Sequence, residues 1–366
     1  MASQPVDMEH HETADAPTEA ADASTDTHVA DAADRPPSPD QTPSIATTAS
    51  LNNLALEVDS NPSLASSDTD SAITNIHTLS STQSARSSIF DFVEEEGRTF
   101  HKYKEGKYVL PNDGQEQDRL DLQHHLLLVL LENRLQLAPI GPNPQNVLDV
   151  GTGTGIWAIE FANRFPSARV IGSDLSPIQP EFVPSNLQFE IDDAEDEWIY
   201  SQKFDLIHGR GLMTCFSDPR SVLEKAFNQL APGGYLEMQD GVFPMLCRDG
   251  TLEGTALDIW AKECVQAGIK IGREWTNALH YKRWMEEIGF EDVKEKIFEV
   301  ATSPWPRGAK QKELGMWFQA DMMDVLSSTL PLFTRFLGYS RERIELLLVE
   351  ARKDLENKGV HAYMPM

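Results

Sequence analysis

No Phe, Tyr or Trp occurs before Phe90, although that stretch is about a quarter of the 366-residue chain. Residues 1–89 are rich in Ser, Thr, Asp, Ala and Pro, and set fourteen Asp or Glu against Arg35 and Arg86 alone, a net −12 of the chain's −27. A segment with so little apolar surface cannot offset the entropy of ordering its backbone, so residues 1–89 are expected to form a disordered acidic, Ser-rich tail. Basic charge is short elsewhere too. The remaining 277 residues carry −15 and show no basic stripe of the kind that neutralises phosphates. Nucleic acid and anionic membrane surfaces are therefore not expected partners. Cysteine is sparse: Cys215, Cys247 and Cys264 are odd in number and lack CxxC spacing, which reads as buried thiols of a reducing compartment. No apolar run approaches 18 residues, and no basic-then-apolar pattern opens the chain, so a soluble intracellular protein is expected.

Every aromatic lies in residues 90–366, which are long enough for a sizeable core. Aromatics and charge mix over Glu94–Leu110. Asp113–Leu137 then reads as a helix, with acidic residues at its start and Leu120, Leu126, Leu127, Leu130 and Leu131 at helical spacing. The segment APIGPNPQ at 138–145 ends it. Short strands follow at Asn146–Val150, Arg169–Ser173, Leu187–Ile191, Phe204–His208 and Tyr235–Gln239, with helices at Ile156–Phe165 and Ser221–Leu230. This alternation predicts an α/β fold whose parallel sheet is covered by helices on both faces. Beyond it, helices are expected at 254–268, 276–288, 310–329 and 340–358, and a strand at Glu291–Ala301. The organisation is a core at 146–240 and a helical, substrate-facing cap at 241–366.

The central motif runs Val147-Leu-Asp-Val-Gly-Thr-Gly-Thr-Gly-Ile-Trp157, a strand, a glycine turn and a helix. Glycines at 151, 153 and 155 permit positive φ and close approach of a ligand, though glycines alone also make an ordinary tight turn. The spacing separates two cofactor classes. A dinucleotide fingerprint needs its third glycine at 156, where this chain has Ile, and an acidic Asp149 beside a pyrophosphate would be repulsive. A sulfonium or ammonium group is attracted to such a carboxylate. Asp174 closes the second strand, 23 residues beyond Gly151, where it can accept both ribose hydroxyls. Asp193 follows the third strand, placed to accept an adenine amino group while the Ala194 N–H meets a ring nitrogen. Glu195 and Asp196 read as a solvated charge run. The Pro232-Gly233-Gly234 turn before the last strand is corroborative only.

These features, with GRTFHKYKEGKYVLPND (97–113), EQDRLDLQHHL (116–126), LDVGTGTGIWAIEFA (148–162) and IGSDLSPIQPEFVPSNLQFEIDDAEDEW (171–198), resemble the fungal LaeA-like group of class I, seven-stranded S-adenosylmethionine-dependent methyltransferases. The group includes enzymes of secondary-metabolite clusters and regulators of secondary metabolism. The resemblance covers roughly 90–366. It implies a Rossmann-like class I sheet with an extra helical cap, and S-adenosylmethionine bound by Asp149, Gly151, Thr152, Gly153, Gly155, Asp174, Leu175, Asp193 and Ala194. The strip around Tyr103 would lie over the cofactor. It also implies a further strand after His361–Met366, whereas the chain stops at Met366, where that strand would start.

Methyl transfer is an in-line displacement that needs alignment and dryness more than a conspicuous triad. His208, at the end of the fourth strand, is the best-placed candidate for a general base, with packing as its alternative; His101 and Tyr103 are weaker candidates. His124 and His125 are adjacent on a helix and diverge, a poor metal pair, and no metal site is expected. Residues 241–335, with Trp260, Trp275, Trp284, Trp305 and Trp317, would form an aromatic wall for a planar or apolar acceptor, Trp284 being expected in the core. The NPPY-type tetrad of enzymes acting on a flipped-out adenine is absent. Three readings follow: a small-molecule O- or N-methyltransferase of a fungal metabolite pathway, a nuclear regulator acting through protein partners, and a dinucleotide dehydrogenase. Ile156 and Asp149 disfavour the third. The first two place the protein in the cytoplasm, the nucleus or both.

Overall fold

The computed structural model describes residues 91–366, so the tail expected at 1–89 lies outside the described residues. A hairpin comes first, β1 (Phe92–Glu95) and β2 (Arg98–His101). Glu96 and Gly97 between them both have positive φ, the backbone of the two-residue turn that matches strand twist. Helix α1 (Gly114–Leu130) starts where Asp113 caps it by accepting from the Glu116 N–H. It ends seven residues before the expected Leu137, because Glu132 and Asn133 turn to positive φ and the Asn133 N–H returns to the Leu128 carbonyl. That turn frees the Leu135 carbonyl to accept from the Trp157 indole at 2.9 Å.

The sheet elements are β3 (Asn146–Val150), α2 (Ile156–Arg164), β4 (Arg169–Asp174), β5 (Leu187–Ile191), β6 (Phe204–Arg210), α3 (Pro219–Gln229) and β7 (Leu230–Gln239). The five strands lie in the order β5-β4-β3-β6-β7, and every pairing is parallel. The chain builds outward from β3 to β5, then returns to place β6 on the other side of β3. Direction therefore switches between β3 and β6, and ligands of open parallel sheets bind at the carboxyl ends of the strands there. Alternate residues of β3 go to opposite faces. Val147 packs with Trp157, Phe161 and Leu206 under α2, whereas Leu148 and Val150 pack with Ile207, Val222 and Ala226 under α3.

The cap comprises α4 (Ala256–Lys270), α5 (Tyr281–Ile288), β8 (Glu299–Ala301), α6 (Ala309–Ser328), α7 (Arg341–Glu356) and β9 (Tyr363–Pro365). Its core gathers Leu126 and Leu130 of α1 with Trp260, Phe318, Leu326, Phe333, Ile344 and Met364. Burying each large side chain contributes about 1.5–3 kcal/mol. The strand expected over Glu291–Ala301 shrinks to three residues because its partner offers only Tyr363–Pro365; the two pair antiparallel as a ladder of their own. The final residues thus already form a strand, tied back by the Val242 N–H to the Pro365 carbonyl and by a Leu246–Tyr363 bridge. Four strands thus stand outside the main sheet, β1 with β2 and β8 with β9.

Gly155 caps α2 at φ +81°, and a Cβ built on it would lie 2.3 Å from the Phe189 ring. Gly153, at φ +59°, has only Leu120 at 3.4 Å. Gly155→Ala should therefore combine left-handed strain with overpacking and cost about 2–4 kcal/mol, against about 1–2 kcal/mol for Gly153→Ala. Urea unfolding of the two variants measures the difference; equal losses would show that Phe189 is free to yield.

Candidate functional site

A cavity opens where the carboxyl ends of β3, β4, β5 and β6 meet the cap and the loop after β2. Gly151, Gly153, Asp174, Leu175, Asp193 and Ala194 line it. Asp174 is the organiser of the middle of this floor. Its two oxygens accept from the Gly153 N–H at 2.8 Å and the Ser176 N–H at 2.9 Å, joining the glycine loop to the turn after β4. Burial pushes its carboxyl up to about 6, with the two amide bonds opposing. The native state thus holds this proton more tightly than an unfolded chain, and stability falls as pH rises from the ordinary carboxylate range through about 6.

At the β5 end, Asp193 is buried, and Lys104 and Lys107 reach it at 3.0 and 3.1 Å from the loop after β2. Burial raises its carboxyl, but the Glu195 N–H and the two ammonium groups outweigh that and hold it below the ordinary value. Lys107 also meets Glu195 at 3.0 Å, and Lys104 pairs with Asp196. Glu195 and Asp196 are therefore not merely a solvated run: they anchor a strap. Glu195 further accepts from the Ser217 and Asp218 N–H groups. His101 shapes the same strap, with Nδ1 on the Tyr103 carbonyl at 2.7 Å and Nε2 accepting from the Tyr108 N–H at 3.1 Å.

Four residues expected to touch a ligand stand elsewhere. Tyr103 is half-buried outside the cavity, and Lys107 and Tyr108 of the same strap line it instead. Asp149 is 3% exposed and spends both oxygens internally, Oδ1 on His208 Nδ1 at 2.7 Å and Oδ2 on Thr152 Oγ1 at 2.6 Å. Thr152 is buried behind the loop, its N–H bonded to the Ser173 carbonyl. Gly155 packs on Phe189 rather than facing the cavity. These three hold the loop from behind.

The expectation of a general base at His208 is corrected by its place in the sheet. The β3–β6 register sets His208 opposite Asp149, on the face covered by α2. Its ring is fully buried and stacks on Trp157 at 3.7 Å and 3°. Packing won over catalysis here because strand parity turned the side chain under a helix.

The far end of the cavity is apolar: Phe243, Trp275, Met322, Val325 and Met364 from the cap, facing Leu212 and Met213. Of the expected tryptophan wall only Trp275 takes part. Trp260 is in the cap core and donates to Thr329 Oγ1, Trp305 donates to the Ala362 carbonyl, and Trp317 stacks edge-on with His125. Trp284, expected in the core, is only half-buried beside Tyr281. Cys215 lines the wall too, and burial pushes its thiol far up, so it carries no thiolate at neutral pH. Sequence reasoning missed Tyr108, Arg119, Gln123, Arg210 and the 211–216 loop. Only a residue's position after the fourth strand could have flagged Arg210 and that loop. Among the described residues no cluster of His, Cys, Asp and Glu could hold a metal ion, and no helix is long and apolar enough to cross a membrane. His124 and His125 do diverge, to Arg210 and to Trp317.

The methyltransferase-domain family profile matches residues 122–295. The chain is 35% identical over 314 residues to the methyltransferase pytC of Aspergillus terreus, covering 85% of this chain and 93% of that one. It is 37% identical over 278 residues to the secondary metabolism regulator laeA of Monascus pilosus, covering 74% and 75%. With the protein-methionine methyltransferase laeA of Emericella nidulans it shares 34% identity over 277 residues, 74% of each chain.

His208→Ala would leave the Asp149 carboxylate buried without its ring donor and unstack Trp157. It should lose roughly 3 kcal/mol of stability. Urea unfolding measures it, and a variant as stable as the parent would contradict the structural role.

Proposed function

The chain belongs to the fungal LaeA-like methyltransferases, and from that membership we propose that it moves a methyl group from S-adenosylmethionine to an oxygen or nitrogen of a small, largely apolar molecule. One observation carries this reading: a single cavity joins the acidic floor at Asp174, Asp192 and Asp193 to the apolar wall at Phe243, Trp275, Met322 and Met364. The floor suits a cofactor that offers hydroxyl, amino and cationic groups. It does not suit a pyrophosphate, which three carboxylates would repel. Asp174 would accept the ribose hydroxyls, Asp193 and Ala194 would meet the adenine, and Gly151 with Gly153 lets the ligand lie on the backbone. Bound there, S-adenosylmethionine supplies an electrophilic methyl.

The protein's part is then alignment and dryness. The strap across the cofactor end and the cap wall at the acceptor end exclude water, and the apolar wall presents the acceptor in line. No histidine lines the cavity among the described residues, and the reading requires none, since an amine need only be unprotonated to attack. Relatives named for regulation and for protein-methionine methylation support a second reading, in which the acceptor is a side chain of a protein partner in the nucleus. The enclosure of the acceptor end by Phe243, Trp275 and Met364, with Met322 and Val325 of α6, favours the small molecule.

Calorimetry of S-adenosylmethionine binding tests the cofactor assignment. The ribose hydroxyls need the ionised form of Asp174, whose carboxyl sits at about 6, so affinity should weaken as pH falls below that value and binding near pH 6 should release protons. Asp174→Ala should cost roughly 1.5–3 kcal/mol, about ten- to a hundred-fold in Kd. NAD should not bind. Unchanged affinity in a folded Asp174→Ala protein, or binding of NAD instead, would overturn the reading.

A further inference from the structure

The cavity is lined by three cationic side chains among the described residues, Lys107, Arg119 and Arg210. Two of them are already matched. Lys107 stands 3.1 Å from Asp193 and 3.0 Å from Glu195. Arg119 gives Nε and Nη2 to Glu116 and Nη1 to Asp321, at 2.7 to 2.9 Å. Arg210 is different: no carboxylate of the described residues hydrogen-bonds its guanidinium, and Asp149, Glu160 and Asp121 act on it only through space. Its one hydrogen-bond partner is a neutral group, the His124 Nδ1 at 2.9 Å. Burial, and then the Arg210 charge itself, hold the His124 ring well below its ordinary value, so Nδ1 keeps its lone pair and accepts. Glu160 stands 3.2 Å from the other ring nitrogen. A guanidinium held in place by a neutral acceptor, facing a cavity, is poised for an anion that the protein does not supply.

The order of the sheet says which anion. The cavity crosses β5, β4, β3 and β6 in that sequence. With adenine at the β5 end and ribose at Asp174 on β4, the remaining half of the cofactor must run over Gly151 toward β6. Arg210 follows directly on the Val150–Gly209 pair, which sets it beside Gly151. That half carries a sulfonium, an ammonium and one carboxylate. We propose that Arg210, steered by His124, binds the carboxylate of the methionyl group of S-adenosylmethionine and so selects the intact cofactor over its decarboxylated form. This rests on the cofactor reading above. The guanidinium is pushed down to about 10 by burial, the carboxylates of Asp149, Glu160 and Asp121 opposing, and it stays charged at neutral pH.

Calorimetric titration of the full chain with S-adenosylmethionine and with decarboxylated S-adenosylmethionine is the test. The parent should prefer the intact cofactor by about tenfold or more. Arg210→Met should weaken the intact cofactor by a similar factor while shifting the decarboxylated one by less than about threefold. Arg210→Lys keeps the charge but loses the fork, and should narrow the preference without abolishing it; it also decides the matter if the methionine variant does not fold. Equal affinity of the parent for both ligands overturns the proposal, as does an equal loss for both in Arg210→Met or an unchanged preference in Arg210→Lys. Failure of the parent to bind either ligand would instead overturn the cofactor reading and this proposal with it.

Discussion

Asp149 is a carboxylate sealed inside the sheet, and a buried carboxylate must find donors or give up its charge. It finds them on two other segments, the His208 ring of β6 and the Thr152 hydroxyl of the glycine loop. The first bond joins the strands on either side of the switch point. The second fixes the turn on which Gly151 and Gly153 present their backbone. Trp157 then closes the arrangement from the α2 side by stacking on His208 and donating to Leu135. The loop, the switch point and the end of α1 are thus referred to one buried side chain behind the cavity.

A second tier fixes the rim. Arg98 of β2 pairs with Asp113, the cap of α1, so the hairpin and the helix carry the strap between them. Lys104 and Lys107 pin the strap to the acidic loop after β5. These ties are partly exposed, and exposed ion pairs contribute little each. The Asp149 centre, by contrast, has its partners buried.

The sheet was legible in the sequence because its elements have period-two or 3.6 patterns and glycine or proline boundaries. The third and fifth strands, Asn146–Val150 and Leu187–Ile191, stand where alternation put them. Cavity-lining residues that act through backbone position, Gly151, Gly153 and Ala194, were legible for the same reason. What depends on parity and on distant partners was not. His208 reads equally as a base or a packing residue until the register turns it under α2. Tyr103 and Tyr108 are five residues apart on a loop with no period, and only the His101 contacts decide which one reaches the cavity. The hairpin at Phe92–His101 was missed because Glu96-Gly97 lacks the Asn or Asp that announces such a turn. The short β8 was overextended because its length is set by its partner at the other end of the cap.

Hydrogen exchange with and without S-adenosylmethionine tests the central claim, that the ends of β3, β4, β5 and β6 form one cofactor floor under the strap. Protection should rise together at 151–153, 174–176, 192–195 and along the strap at 102–112, with little change in the cap helices. Protection confined to other segments, or no change at these four, would contradict the account.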